Sequence, residues 1–169
     1  DSCIEYHEKF LIEIKWMSLN YRKGVGVFLL NKKKQVWVGK RLDIKNNFWQ
    51  MPQGGIDTGE SEKEAMMREL SEEIGTNNIK ILGTSRDWLN YDLPNELVGK
   101  IWKGRYVGQS QKWFACELRG NENEINLNTS APEFVDWKWI KPQLLIKYVI
   151  PFKRELYKKI LEIFKDFYS

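Results

Sequence analysis

The sequence predicts an α/β protein, a mixed β-sheet flanked by helices, from three observations. Runs of β-branched and aromatic residues recur along the chain, starting with "VGVFLL" and "QVWVGKR" on either side of a Lys-rich turn at 31–34. Residues 61–75 carry helix signals at both ends. The final stretch "PFKRELYKKILEIFKDFY" spaces Phe152, Leu156, Ile160, Ile163, Phe164 and Phe167 at helical intervals, with Lys and Arg between them.

The 169 residues suit one domain with a sizeable core. Residues 1–16 differ in style from the rest of the chain, so Met17 is read as the natural start, residues 1–16 as an N-terminal extension and 17–169 as the domain. The Val25 and Gln35 runs form the expected hairpin. Residues 42–59, with Pro and several Gly, read as loop with a short strand near Trp49. Further short strands are expected near 79–84, 100–107, 111–118 and 134–140, and Pro151 opens the last helix.

Composition excludes several classes. Hydrophobic residues at 42% and charged residues at 30% argue against disorder. No stretch approaches the roughly 18 apolar residues of a membrane span, and "FLIEIKWM" is broken by Glu13 and Lys15. Cys3 and Cys116 make neither a disulfide framework nor a zinc site. A cytoplasmic monomer is the expectation. The net charge of +4 is compatible with a polyanionic partner or with a solubilising surface.

Against that basic background, "GGIDTGESEKEAMMRELSEEIG" (54–75) concentrates acid. Ser61 and Glu64 form a capping box, and Gly75 is placed to end the helix. At about 100° per residue, Met67, Leu70 and Ile74 share one face, and Glu69, Glu72 and Glu73 gather on another. Three clustered carboxylates repel one another unless cations occupy the face. Hard oxygen ligands suit Mg²⁺, with Mn²⁺ as a substitute. The alternative is a solvated acidic face with pairs such as Arg68–Glu72.

Read as G-x5-E-x7-R-E-U-x-E-E-x-G-U, where U is a bulky aliphatic residue, the segment resembles the Nudix box. Gly54, Glu60, Arg68, Glu69, Leu70, Glu72, Glu73 and Gly75 match it without a gap, and Thr76 departs at the last packing position. The resemblance implies an α/β/α sandwich and metal-dependent hydrolysis of phosphoanhydrides. Glu69, Glu72 and Glu73 would be metal ligands, the carbonyl of Gly54 or Gly55 would complete the shell, and Glu60 would pair with Arg68 as support.

Beyond the box, "YRKGVGV", "FWQMPQGGID", "RDWLNYDLP", "GQSQKWF", "PEFVDWKWI" and "PFKRELY" resemble the bacterial RNA 5′-pyrophosphohydrolases and the related dinucleoside polyphosphate hydrolases. That likeness raises Arg22, Arg41, Gln111, Phe152, Lys153 and Tyr91 to substrate-binding candidates. Arg and Lys can contact phosphates, and an aromatic ring can stack on a base. It also implies that Glu133 approaches the metals, as ligand or as general base in competition with Glu73; Glu72 completes the catalytic candidates. The expected partner is 5′-phosphorylated RNA, cut to a 5′ monophosphate so that transcripts open to decay, or a dinucleoside polyphosphate such as diadenosine tetraphosphate. A catalytically silent RNA-end-binding module would be expected to lack a box carboxylate, and all three are present.

Overall fold

The computed structural model describes residues 4–9, 20–43 and 46–169. Met17 and its neighbours lie outside the described residues.

Seven strands form one mixed sheet: β1 (Tyr21–Leu30), β2 (Val36–Arg41), β3 (Gln53–Gly55), β4 (Ile79–Thr84), β5 (Leu89–Asp92), β6 (Gly108–Leu118) and β7 (Phe134–Ile140). Their order is β4-β6-β1-β2-β7, with β3 paired to β1 and β5 to β6. Strand β1 runs parallel to β6 along its whole length, from Tyr21 opposite Gly108 to Leu30 opposite Glu117. The other pairings are antiparallel.

Alternation along β1 divides the interior into two layers, because successive side chains of a strand point to opposite faces. Val25, Val27 and Leu29 pack with Trp37, Phe114 and Cys116 against Ala65, Met66, Leu70 and Ile74 of helix α1 (Glu62–Ile74). Phe28 and Leu30 pack with Trp113, Met51 and Val38 against Leu156, Tyr157, Ile160 and Phe164 of the C-terminal helices. These are α2 (Leu145–Tyr148), α3 (Arg154–Ile163) and α4 (Lys165–Tyr168). The result is the expected sandwich, helix on both faces of a mixed sheet.

Local chemistry sets the ends of α1. Ser61 Oγ accepts from the Glu64 amide at 3.1 Å, and the Glu64 carboxylate accepts from the Ser61 amide at 3.4 Å. Gly75 takes a left-handed φ of 79°, and a β-carbon there would press on the carbonyl of Asn126.

Some expected elements move. No strand forms at 100–107, which holds turns and a 3-10 segment at Trp102–Gly104; Trp102 and Lys103 adopt positive φ that no strand accommodates. Strand β5 was not expected, since its four residues interrupt an Asp- and Asn-rich stretch. Near Trp49 there is only an isolated bridge, Gly39 with Gln50, while the paired strand lies at the glycines themselves. The last helix breaks at Phe164, and Ile163 is left 44% exposed instead of joining the apolar face. On α1, Met67 is half-buried, and its place in the buried stripe goes to Met66 together with two of the carboxylates.

Candidate active site

Helix α1 lies across β3, and two glycines let it come close. A β-carbon on Gly54 would coincide with the carboxylate of Glu69, and one on Gly55 would strike the guanidinium of Arg22. Only a strand without side chains at these points admits a carboxylate from α1 and an arginine from β1.

Three carboxylates then converge. Oxygens of Glu69, Glu73 and Glu133 lie within 4.8 Å of one another, two from α1 and one from the loop entering β7. Glu73 is 1% exposed. Its Oε2 accepts from the Gln53 amide at 3.0 Å, and its Oε1 has no hydrogen-bond partner. Burial, with Glu133 and Glu69 close by, pushes its pKa well above the carboxylate range. Burial likewise raises Glu69 to about 7, against the opposing pull of Arg68. A buried anion with an orphaned oxygen is costly. A hard divalent cation among these oxygens would satisfy the orphan and remove the repulsion, so the donor set fits such an ion. Glu72 stands apart from the trio: it is half-buried, with Oε2 3.2 Å from Arg68 Nη1.

Arg68 is the hub that holds this geometry. It donates to both oxygens of Glu60 at 2.7 and 2.9 Å, to the Gly55 carbonyl at 2.9 Å and to Glu69 Oε1 at 2.8 Å. The Arg68 fork and the Asp57 amide hold the Glu60 carboxyl down to about 2. Arg68 thus ties the Gly55 strand, the 57–60 turn and α1 into one frame.

Next to the carboxylates opens a cavity of about 460 Å³, lined by Arg41, Tyr91, Phe152 and Lys153 among others. Lys153 is 5% exposed, with Nζ 5.3 Å from the centre of the Tyr91 ring. Burial, aided by nearby Arg41, lowers its pKa to about 7. The Tyr91 and Phe152 rings lie 6.0 Å apart. Arg41 is gripped by Asp43 through bonds of 2.8 and 2.7 Å, which raises the arginine and lowers the aspartate. Arg22 lies outside the lining, with its guanidinium over the Trp102 ring at 5.4 Å.

Gln111 is fully buried and faces inward. Its Nε2 donates to Gln53 at 3.3 Å and to Gln109 at 3.2 Å, and its Oε1 accepts from the Trp113 indole at 3.0 Å. Gln53 joins the two halves: its backbone amide donates to Glu73, and its side chain donates to Tyr91 Oη at 3.4 Å. Gln109 also donates to that hydroxyl, at 2.8 Å. Sequence reasoning missed Gln53, Gln109, Asp43 and Trp102. The period-two alternation Gln109, Gln111, Trp113 could have placed Gln109 on the same face, whereas nothing local marks Trp102.

Residues 20–160 match the NUDIX domain. An RNA pyrophosphohydrolase of Rickettsia typhi is 46% identical over 152 residues, spanning 90% of this chain and 94% of that protein. The RNA pyrophosphohydrolase of Rhodospirillum rubrum is 50% identical over 143 residues, spanning 85% and 86%. Among solved structures, a C. elegans Ap4A hydrolase binary complex superposes with a TM-score of 0.61 at 22% identity, covering 86% of this chain and 98% of that one, a likeness of fold.

Proposed function

The chain belongs to the NUDIX domain family, and from that premise we propose that it removes pyrophosphate or phosphate from the 5′ end of tri- or diphosphorylated RNA, leaving a 5′ monophosphate. The observation that carries this reading is the junction at Gln53, where a trio of carboxylates, Glu69 and Glu73 buried and Glu133 half-buried, meets a cavity walled by cations and aromatic rings. A phosphoanhydride needs its charge neutralised before water can attack, and an RNA end also offers a base to stack.

Glu69, Glu73 and Glu133 would hold the divalent cation, proposed to be Mg²⁺ with Mn²⁺ as a substitute. When bound, it neutralises phosphate charge and lowers the pKa of water. Glu73 and Glu133 are the proposed proton acceptors, since Glu69, the third of the trio, is already bonded to Arg68; Glu72, held at Arg68, is assigned to completing the negative field. Arg68 and Glu60 keep α1 and the Gly55 strand in register. Arg41 and Lys153 supply positive charge to the phosphates, and Phe152 and Tyr91 form a wall for a base. Arg22 sits against Gly55, where it can reach a phosphate near Glu69. Gln111 is proposed to act on substrate through Gln53 and Gln109, which it orients. The proposed setting is a cytoplasmic monomer; among the described residues no helix is long and apolar enough to cross a membrane.

The test is side-by-side hydrolysis of a short 5′-triphosphorylated RNA and diadenosine tetraphosphate, with Mg²⁺ and with chelator. Faster, chelator-sensitive conversion of the RNA to its 5′ monophosphate is the expected result. Preference for the dinucleotide would overturn RNA as the main substrate.

A further inference from the structure

Opposite the cavity, the same end of the sheet carries a second arrangement of cations around an aromatic ring. Trp88, half-buried, has Lys23 Nζ 5.2 Å and Lys112 Nζ 5.6 Å from its ring. The Lys112 ammonium is fixed by the carbonyls of Arg86 at 2.6 Å and Ser85 at 3.3 Å, while Lys23 is exposed. Among the described residues, none of Lys23, Arg86 and Lys112 forms an ion pair, and neither does the neighbouring Asp87. Two ammonium groups on one ring repel each other and leave charge uncompensated, which an arriving anion relieves. Lys112 also borders a shallow hollow at the start of α1, lined by Ser61, Glu62 and Lys63, so the basic strip is confined to Lys23, Arg86 and Lys112 around Trp88.

This strip adjoins the active site through a thin layer of backbone. Alternation along β1 puts Arg22 on the cavity side and Lys23 on the α1 side. Arg22 rests against Gly55, and the Lys23 carbonyl accepts from the Ile56 amide at 3.1 Å. The backbone of the turn after Gly55 therefore lies between the carboxylates and Lys23.

We propose that Lys23, Trp88 and Lys112 form a subsite for the RNA strand downstream of its 5′ phosphates. The ammonium groups contact phosphodiester oxygens, and Trp88 offers its ring to an unpaired base. The subsite rests on the RNA reading of the active site. It makes affinity depend on substrate length, with a steeper salt dependence for a long RNA than for a mononucleotide-sized substrate.

The experiment compares KM for a 5′-triphosphorylated RNA of about 12 nucleotides with KM for a 5′-triphosphorylated dinucleotide, in the wild type, Lys23→Glu and Trp88→Leu. Lys23→Glu changes an exposed side chain and leaves the core alone. Its long-to-short KM ratio is expected to rise about tenfold, with the salt slope for the long RNA falling by about 0.7 per cation lost. Trp88→Leu is expected to raise the same ratio about fivefold through lost stacking. An unchanged ratio in both variants overturns the subsite while leaving the RNA reading intact. Absence of turnover on both RNAs by the wild type overturns the RNA reading, and the subsite with it.

Discussion

The carboxylate trio and the cavity beside it are built from opposite materials. Glu69 and Glu73 come from one helix within residues 54–75, Glu69 fitted against Gly54 and held by Arg68, Glu73 held by the Gln53 amide, and Glu133 joins them from the loop before β7. The cavity draws Arg41 from the end of β2, Tyr91 from β5, and Phe152 and Lys153 from the entry to α3. The first region stores repulsion between buried anions; the second buries a lone ammonium. Each is electrostatically unfavourable alone, and each is relieved by the partner proposed for it, a cation in one case and a polyanion in the other. Fold stability has been given up where binding recovers it.

The sharpest way to break this contrast is Glu73→Gln. It keeps the side-chain shape while removing the buried charge, so kcat is expected to fall on the order of 10³-fold with the circular dichroism spectrum unchanged. Turnover near the wild-type level would remove Glu73 from the chemistry.

A pH titration of the metal-free protein separates the regions next. Glu69 and Glu73 have folded pKa values above their unfolded ones, so the folded state holds more protons and stability falls as pH rises, through about 4.5 to 7 for Glu69 and in the same direction for Glu73. Lys153 has the opposite sense for its charge: its folded pKa of about 7 lies below the unfolded value of 10.5, so stability rises as pH climbs between them. Denaturation with chelator is expected to show a minimum between pH 4.5 and 10.5. A divalent cation fills in the acid side of that minimum, and Lys153→Met removes the rise on the alkaline side. A profile that only falls would contradict the Lys153 assignment, and one that only rises would contradict that of the carboxylates.

Arg41→Ala addresses recognition alone. KM for 5′-triphosphorylated RNA is expected to rise about tenfold with kcat little changed, the loss of one charge-assisted phosphate contact. An equal fall in kcat would place Arg41 in the chemical step. Tyr91→Phe is the mildest change: it removes the hydroxyl that Gln53 and Gln109 address and is expected to raise KM about threefold.

The same contrast explains what could be read in advance. Capping at Ser61, termination at Gly75 and the spacing of the carboxylates are local, so the helix and its acidic stripe were legible from the sequence. Which face the stripe occupies was not. Glu69 and Glu73 lie in the buried stripe, Glu69 in the room that Gly54 leaves, and a helical projection cannot see the strand it packs on. Glu72 projected close to the others but turns to Arg68. The cavity is non-local throughout. Arg41, Tyr91 and Lys153 meet only after β2, β5 and α3 are placed by the sheet order, so resemblance to relatives named them and residue patterns did not. Trp102 was hidden by a segment that resembled a strand and folds as turns.

Whether Glu69, Glu73 and Glu133 form a divalent-cation site completed by Glu73 is decided by titrating the protein with Mn²⁺ and following the free ion by electron paramagnetic resonance, in the wild type and in Glu73→Gln. Saturable Mn²⁺ binding is expected in the wild type, weakened at least about tenfold in Glu73→Gln. Equal binding by the two proteins would contradict it.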